Sequence, residues 1–111
     1  MKGKSELTIA LYDHLIREMA QLGEVQVRPT KSAIALSTKV RFGHIHRLGK
    51  NFVDLVLYFD EAHNDNLCFY RIANVPGSTQ HNHYFRMMEP EDVNEEVRSY
   101  IAQAMAASER Q

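Results

Sequence analysis

VQVRPTKSAIALSTKVRFGHIHRL, residues Val25 to Leu48, decides the fold. Side chains along a strand point to alternate faces, so a period of two marks a half-buried strand. Val25 and Val27 alternate with Gln26 and Arg28, and Ile34 and Leu36 alternate with Ala33 and Ala35. Pro29-Thr30-Lys31 separates these runs, because proline fixes its backbone angle and has no N–H for a ladder. Ser37-Thr38-Lys39 is a second turn. The pattern then predicts a longer strand with Val40, Phe42, His44, His46 and Leu48 on one face. Arg41, Gly43, Ile45 and Arg47 fall on the other.

The period is different on the N-terminal side of this stretch. Leu7, Leu11, Leu15 and Met19 recur every four residues, flanked by Tyr12, Ile16 and Leu22, which is the apolar stripe of a helix. Ser5 is placed to cap its start, and Gly23 to end it in the left-handed conformation that costs glycine least. On the C-terminal side, Gly49-Lys50-Asn51 is a third turn and Phe52 to Phe59 the strongest strand. Val53, Leu55, Leu57 and Phe59 are expected in the core, and Phe52, Asp54, Val56 and Tyr58 opposite them. Asp60 to Asn66 reads as a polar hairpin loop, and Leu67 to Val75 as a strand with apolar residues in both alternate sets. Pro76-Gly77-Ser78 breaks it, and His81 to Met88 alternates again. Pro90 and the surrounding acids suit the first turn of a second helix, whose stripe is Val93, Val97, Tyr100, Ile101, Ala104 and Met105. From Ser108 a frayed tail is expected.

The order is therefore helix, strands, helix, with short links that favour antiparallel pairing. It predicts a single α+β domain over residues 1–111: a mainly antiparallel sheet of about five or six strands, with both helices on one face. Leu11, Leu15, Val97 and Ile101 should be buried there against Leu55 and Leu57.

A chain of 111 residues with 44% hydrophobic and 24% charged residues has the composition of an ordinary globular domain. Its one cysteine, Cys68, allows no internal disulfide, so an oxidising compartment is not needed. No apolar run approaches a membrane span, and the start has charges where a signal peptide would be apolar. A cytoplasmic protein without a membrane partner is expected. The net charge of −1 hides a strong asymmetry. From Val25 to Val53 there are six cations and no acid, whereas Glu89 to Glu96 holds five acids.

Several kinds of chemistry have no support. There is no phosphate-binding glycine loop and no dinucleotide fingerprint. No serine sits in a glycine-rich elbow, and a mid-strand Cys68 is expected to be packed and inert. Asp54 between Phe52 and Val56 is expected to pair with an arginine rather than act as a base. His44 and His46, joined by His83 from another strand, are the alternative candidate metal ligands. Their apolar companions Phe42 and Phe85 favour imidazoles packed at the margin of the core and neutral at pH 7. No cofactor is expected.

The helix-free sheet face is the main candidate site. It is expected to carry Arg28, Lys31, Arg41, Arg47, Phe52, Tyr58, Tyr84 and Arg86, with Ala33, Ala35 and Gly43 as small residues between them. Bases stack on exposed rings while cations meet phosphate, and the same residue types suit a protein interface or a homodimer.

Val27-Arg28-Pro29-Thr30-Lys31-Ser32-Ala33-Ile34-Ala35-Leu36 and Val40-Arg41-Phe42 resemble the opening strands of a small uncharacterised bacterial domain family. His83-Tyr84-Phe85-Arg86-Met87, with Glu89-Pro90-Glu91-Asp92-Val93 and the helix after it, is similar to that family's C-terminus. The resemblance spans nearly the whole chain. It implies a domain of unknown function, found alone or as a module, with no catalytic residue to carry over. It also implies aromatic residues where this chain has His44 and His46. The expectation is a binding or accessory module, more in keeping with a non-enzyme, that contacts a protein or nucleic acid through its cationic, aromatic sheet face. The alternative is a small metal-dependent or acid–base enzyme built on the histidines.

Overall fold

The computed structural model describes residues 4–64 and 67–109. Helix α1 (Glu6–Leu22) is followed by β1 (Gln26–Pro29), β2 (Ile34–Ser37), β3 (Arg41–Gly49), β4 (Phe52–Phe59), β5 (Arg71–Asn74) and β6 (His81–Met87). A 3-10 turn (Pro90–Asp92) then leads into α2 (Glu95–Glu109). The strands form one six-stranded sheet in the order β1-β2-β3-β4-β6-β5, and every pair is antiparallel.

Ser5 caps α1 as expected, its hydroxyl accepting from the Thr8 N–H at 3.1 Å. Gly23 ends the helix with φ 164°, an extended conformation rather than the expected left-handed one. A Cβ there would stand 2.9 Å from the Met105 methyl, the movable end of a flexible side chain. Pro90 opens the separate 3-10 turn, closed by a reciprocal cap between Glu89 and Asp92. Asn94 then caps α2, accepting from Val97 N–H at 2.9 Å. The tail expected to fray from Ser108 onward is ordered at Ser108 itself, whose side chain is buried and hydrogen-bonded to Thr38 and to the Met105 carbonyl, while Arg110 and Gln111 lie outside the described residues.

Both helices pack on β3 and β4 and on each other, so they cover one face. Leu11, Leu15, Val97 and Ile101 share a single core with Leu55 and Leu57, as the two apolar stripes require. Thr8 fixes the angle of α1. Its buried hydroxyl donates to the Gly49 carbonyl at 2.8 Å and accepts from Asn51 N–H at 2.9 Å. Asn51 has φ 64°, the left-handed position of the β3–β4 turn.

The sheet departs from the sequence reading in three places. β3 is not regular. Against β2 the register skips Phe42, and against β4 it skips His46. Each is a bulge, in which two residues on one strand oppose one on the next. The first lets Phe42 enter the core beside the position of Gly43. The second sends His46 and Arg47 together to the helix-free side, while Ile45 is buried in the core. Val40 precedes the strand and is 38% exposed, so it is not a core residue. Next, the segment from Leu67 to Tyr70 is not strand, and β5 begins only at Arg71. Last, β6 lies between β4 and β5, so the strands on either side of Asp60–Asn66 do not form a hairpin. Asp65 and Asn66 themselves lie outside the described residues.

Thr8→Val removes the buried hydroxyl that bonds two backbone groups of the turn. We expect a loss of about 1–3 kcal/mol in a urea melt with an unchanged slope. A variant as stable as the parent would show that the turn does not depend on α1.

Candidate functional site

The two bulges sort the side chains of β3, and with them the chemistry of each face. His44 pairs with Val56 and Arg47 with Asp54, both on the side away from the helices. There His44 meets Tyr58, and His46 meets Tyr84 edge-on at 5.5 Å between ring centres. Phe52, Tyr58, Tyr84, Arg41, Arg47 and Arg86 all reach this face, as the alternation of β4 and β6 predicts. The expected location of His44 and His46 on the Phe42 face is corrected by the first bulge, after which they alternate with the core-side residues Gly43 and Ile45.

The centre of the face is sealed. Asp54 is 1% exposed and Val56 is fully buried, although no helix covers them. Arg86, across from Asp54 on β6, donates to its two oxygens at 2.8 and 3.0 Å. The Tyr70 hydroxyl donates to the same carboxylate at 3.2 Å. The bond to Asp54 holds the Arg86 guanidinium well above its usual pKa. Burial first, then Asp54, keeps the Tyr70 phenol protonated to higher pH than usual. This is the arginine pair expected for Asp54, with a phenol added.

The rings are also occupied. Arg86 lies 4.2 Å from the centre of Phe52 and 5.1 Å from that of Tyr70. Arg47 approaches Phe52, Arg71 approaches Tyr84, and Arg41 approaches Tyr58, at 5.7, 5.1 and 5.9 Å. A guanidinium over an aromatic face is attracted by the ring's electron density. The tyrosine and phenylalanine faces are thus largely taken by arginines of the same chain. Tyr70 and Arg71 were hidden from the sequence reading because the facing of the segment Leu67 to Val75 was ambiguous. The cross-strand pairing of Arg71 with Tyr84 resolves it.

Beyond this layer the face opens into a trough of about 820 Å³ over β1 and β2. Arg28, Lys39 and Arg41 line it, with Gln26, Thr30, Ser37 and Thr38, and Ala35 is the small residue of its floor. Glu24 is its one acid. Lys39, one of the six cations of the acid-free run but not among the expected site residues, comes from the turn before β3. Lys31, expected in the site, is exposed in the β1–β2 turn and does not line the trough. Gly43, expected on this face, sits at a core-side position opposite Leu57.

The three candidate metal ligands do not converge. His83 is fully buried on the helix side, among Phe59, Phe69 and His63. Its Nδ1 lies 3.0 Å from the His81 carbonyl, and its Nε2 accepts from the His63 backbone N–H at 3.1 Å. Both ring nitrogens therefore have partners, and burial pushes the pKa down. His44 lies across the sheet, hydrogen-bonded through Nδ1 to the Tyr58 hydroxyl, which we assign as the donor. Burial, then Arg41 and His46, lower the His44 pKa to about 4. The Cys68 thiol is pushed up to about 12 by burial and by Glu96, so it is a poor nucleophile.

A family model described as a domain of unknown function (DUF5655) matches residues 1–108, in keeping with the resemblance read from the strands and the C-terminal segment. No curated protein and no solved structure matches the chain.

The His44 value sets the sign of a pH dependence. The unfolded imidazole titrates near 6.5, and the folded one near 4. Between these values the unfolded chain holds a proton that the folded chain lacks. This contribution to stability is complete above about pH 6.5 and is lost as pH falls toward about 4. The lowered His83 pKa acts in the same direction. In an NMR titration His44 should stay neutral well below its usual midpoint, and His44→Gln should flatten the loss of stability across that window. A normal His44 midpoint would contradict its burial beside Arg41.

Proposed function

The chain belongs to the DUF5655 family of domains of unknown function, and we propose that it is a non-catalytic binding module whose contact surface is the helix-free sheet face. The partner is an anionic macromolecule, a nucleic acid or an acidic protein. One observation carries this reading: a trough bordered by Arg28, Lys39 and Arg41 adjoins a layer of arginines already fixed on rings. Among the described residues, none of the three trough cations is in an ion pair. Cations outside ion pairs keep their charge available for an anion, and a field of one sign steers such partners toward the face.

The enzyme alternative is less well supported by the geometry. An active site needs converging polar groups in a concave pocket. The histidines that suggested one lie on opposite sides of the sheet, and burial lowers the pKa of His44 and of His83. The trough brings together cations and hydroxyls, with no general base among its lining except Glu24 at one end.

The test is a low-salt titration with two polyanions, an oligonucleotide and poly-glutamate. At least one should bind, and Arg28→Glu combined with Arg41→Glu should weaken it by about tenfold or more. The melting temperature should change little, because both side chains are exposed. Failure of both polyanions to bind under these favourable conditions would contradict an electrostatic contact face.

A further inference from the structure

We infer that the trough over β1 and β2 is a site for the phosphate backbone of single-stranded nucleic acid, and that the ring-and-arginine layer beside it is not a base-stacking platform. This rests on the binding-module reading above and names its ligand.

The inference begins with how each arginine is used. Arg86 spends its hydrogen bonds on Asp54 and its plane on Phe52. Arg47 and Arg71 lie toward rings of their own chain. To stack on Phe52 or Tyr84, a base would have to displace a guanidinium from the ring. That exchanges one ring contact for another and frees a charge whose partner is lost, so little is gained. The sealed half of the face is therefore structure.

The open half differs in every respect that matters. Arg28 comes from β1, Lys39 from the β2–β3 turn and Arg41 from β3, so positive charge borders the trough from separate elements. The floor at Ala35 and Ser37 is small, Gln26, Thr30 and Thr38 add hydrogen-bonding groups, and Val40 adds one exposed apolar side chain. An acidic peptide carries its charges at the ends of flexible side chains, whose ordering costs rotamer freedom. A phosphodiester chain carries one charge per unit along its backbone and needs only cations and donors. A single strand can follow a concave path, whereas the phosphates of a duplex lie on a convex cylinder and meet only its rim. Strand addition at β1 is less favoured. That edge is four residues long and ends in Pro29, which has no N–H to offer.

Arg41 lines the trough and also approaches Tyr58, the partner of His44. The positive charge of Arg41 is one cause of the low His44 pKa. A phosphate at Arg41 would offset that charge, so the His44 midpoint should rise on binding. This gives a reporter inside the site.

The experiment is fluorescence anisotropy with an oligouridylate of roughly 12 nucleotides, within the length that small single-strand sites occupy. Three phosphate contacts predict a slope of about −2 for log K against log salt. Arg28→Glu with Lys39→Glu should lower affinity by about tenfold or more at low salt, while Arg71→Glu should change it by less than about threefold. The His44 midpoint, followed by NMR, should move up from about 4 when the oligonucleotide is bound. Three results would overturn the assignment: equal loss in the Arg71 variant, no loss in the trough variant, or tighter binding of a duplex of the same length. If poly-glutamate binds through the trough and oligouridylate does not, the ligand class is wrong and the binding-module reading stands. If neither binds, both fail.

Discussion

β3 crosses β4 so closely at Gly43 that a Cβ there would collide with the Val56 carbonyl oxygen. That approach lies between the two bulges, at Phe42 and at His46, and the composition of both faces depends on them. Without the first, Phe42 would not share the core side with Gly43. Without the second, His46 and Arg47 could not both reach the helix-free face. A bulge adds one residue and shifts the alternation by one, so two bulges in nine residues rewrite the facing of a strand. The core keeps Phe42, Ile45 and Leu48 packed against it, and the outer face gains imidazoles and guanidinium.

A second constraint follows. The outer face of β4 contains Asp54, a carboxylate that no helix shields. An uncompensated charge at 1% exposure would be costly, and removing either member of such a pair destabilises more than the pair itself contributes. Arg86 and Tyr70 satisfy it, and Phe52 then lies against the Arg86 guanidinium. The packed outer layer is a consequence of holding one carboxylate. Arginines committed in this way are poor ligand groups, because their charge and their planes are already in use. Arg28 and Lys39 carry no such commitment, and Arg41, which approaches Tyr58 while lining the trough, stands where a structural half of the face meets a binding half.

Much of this was legible in the sequence, and the exceptions have physical causes. The period near four of Leu7 to Met19 and the period of two in Val53 to Phe59 report burial directly, so the helices, the strongest strand and the shared core followed from them. The outward location of Phe52, Tyr58, Tyr84 and Arg86 followed from the same alternation. His44 and His46 were misplaced because a strict period of two cannot register an inserted residue, and bulges leave no composition signal beyond Gly43. The place of β5 outside β6 was not legible, since strand order depends on pairing between distant segments. Tyr70 and Arg71 were lost with it. Gly23 and Ser108 were misread because what they touch, Met105 and Thr38, is far away in the chain.

The most direct test of the division of the face is an amide chemical-shift map of the labelled protein titrated with oligouridylate. The largest changes should fall on Gln26 to Thr30 and Ser37 to Arg41, with His44 and Tyr58 following through Arg41. Arg71, Tyr84 and Arg86 should barely move. Changes centred on Phe52, Tyr70 and Tyr84, or on the helices, would contradict it.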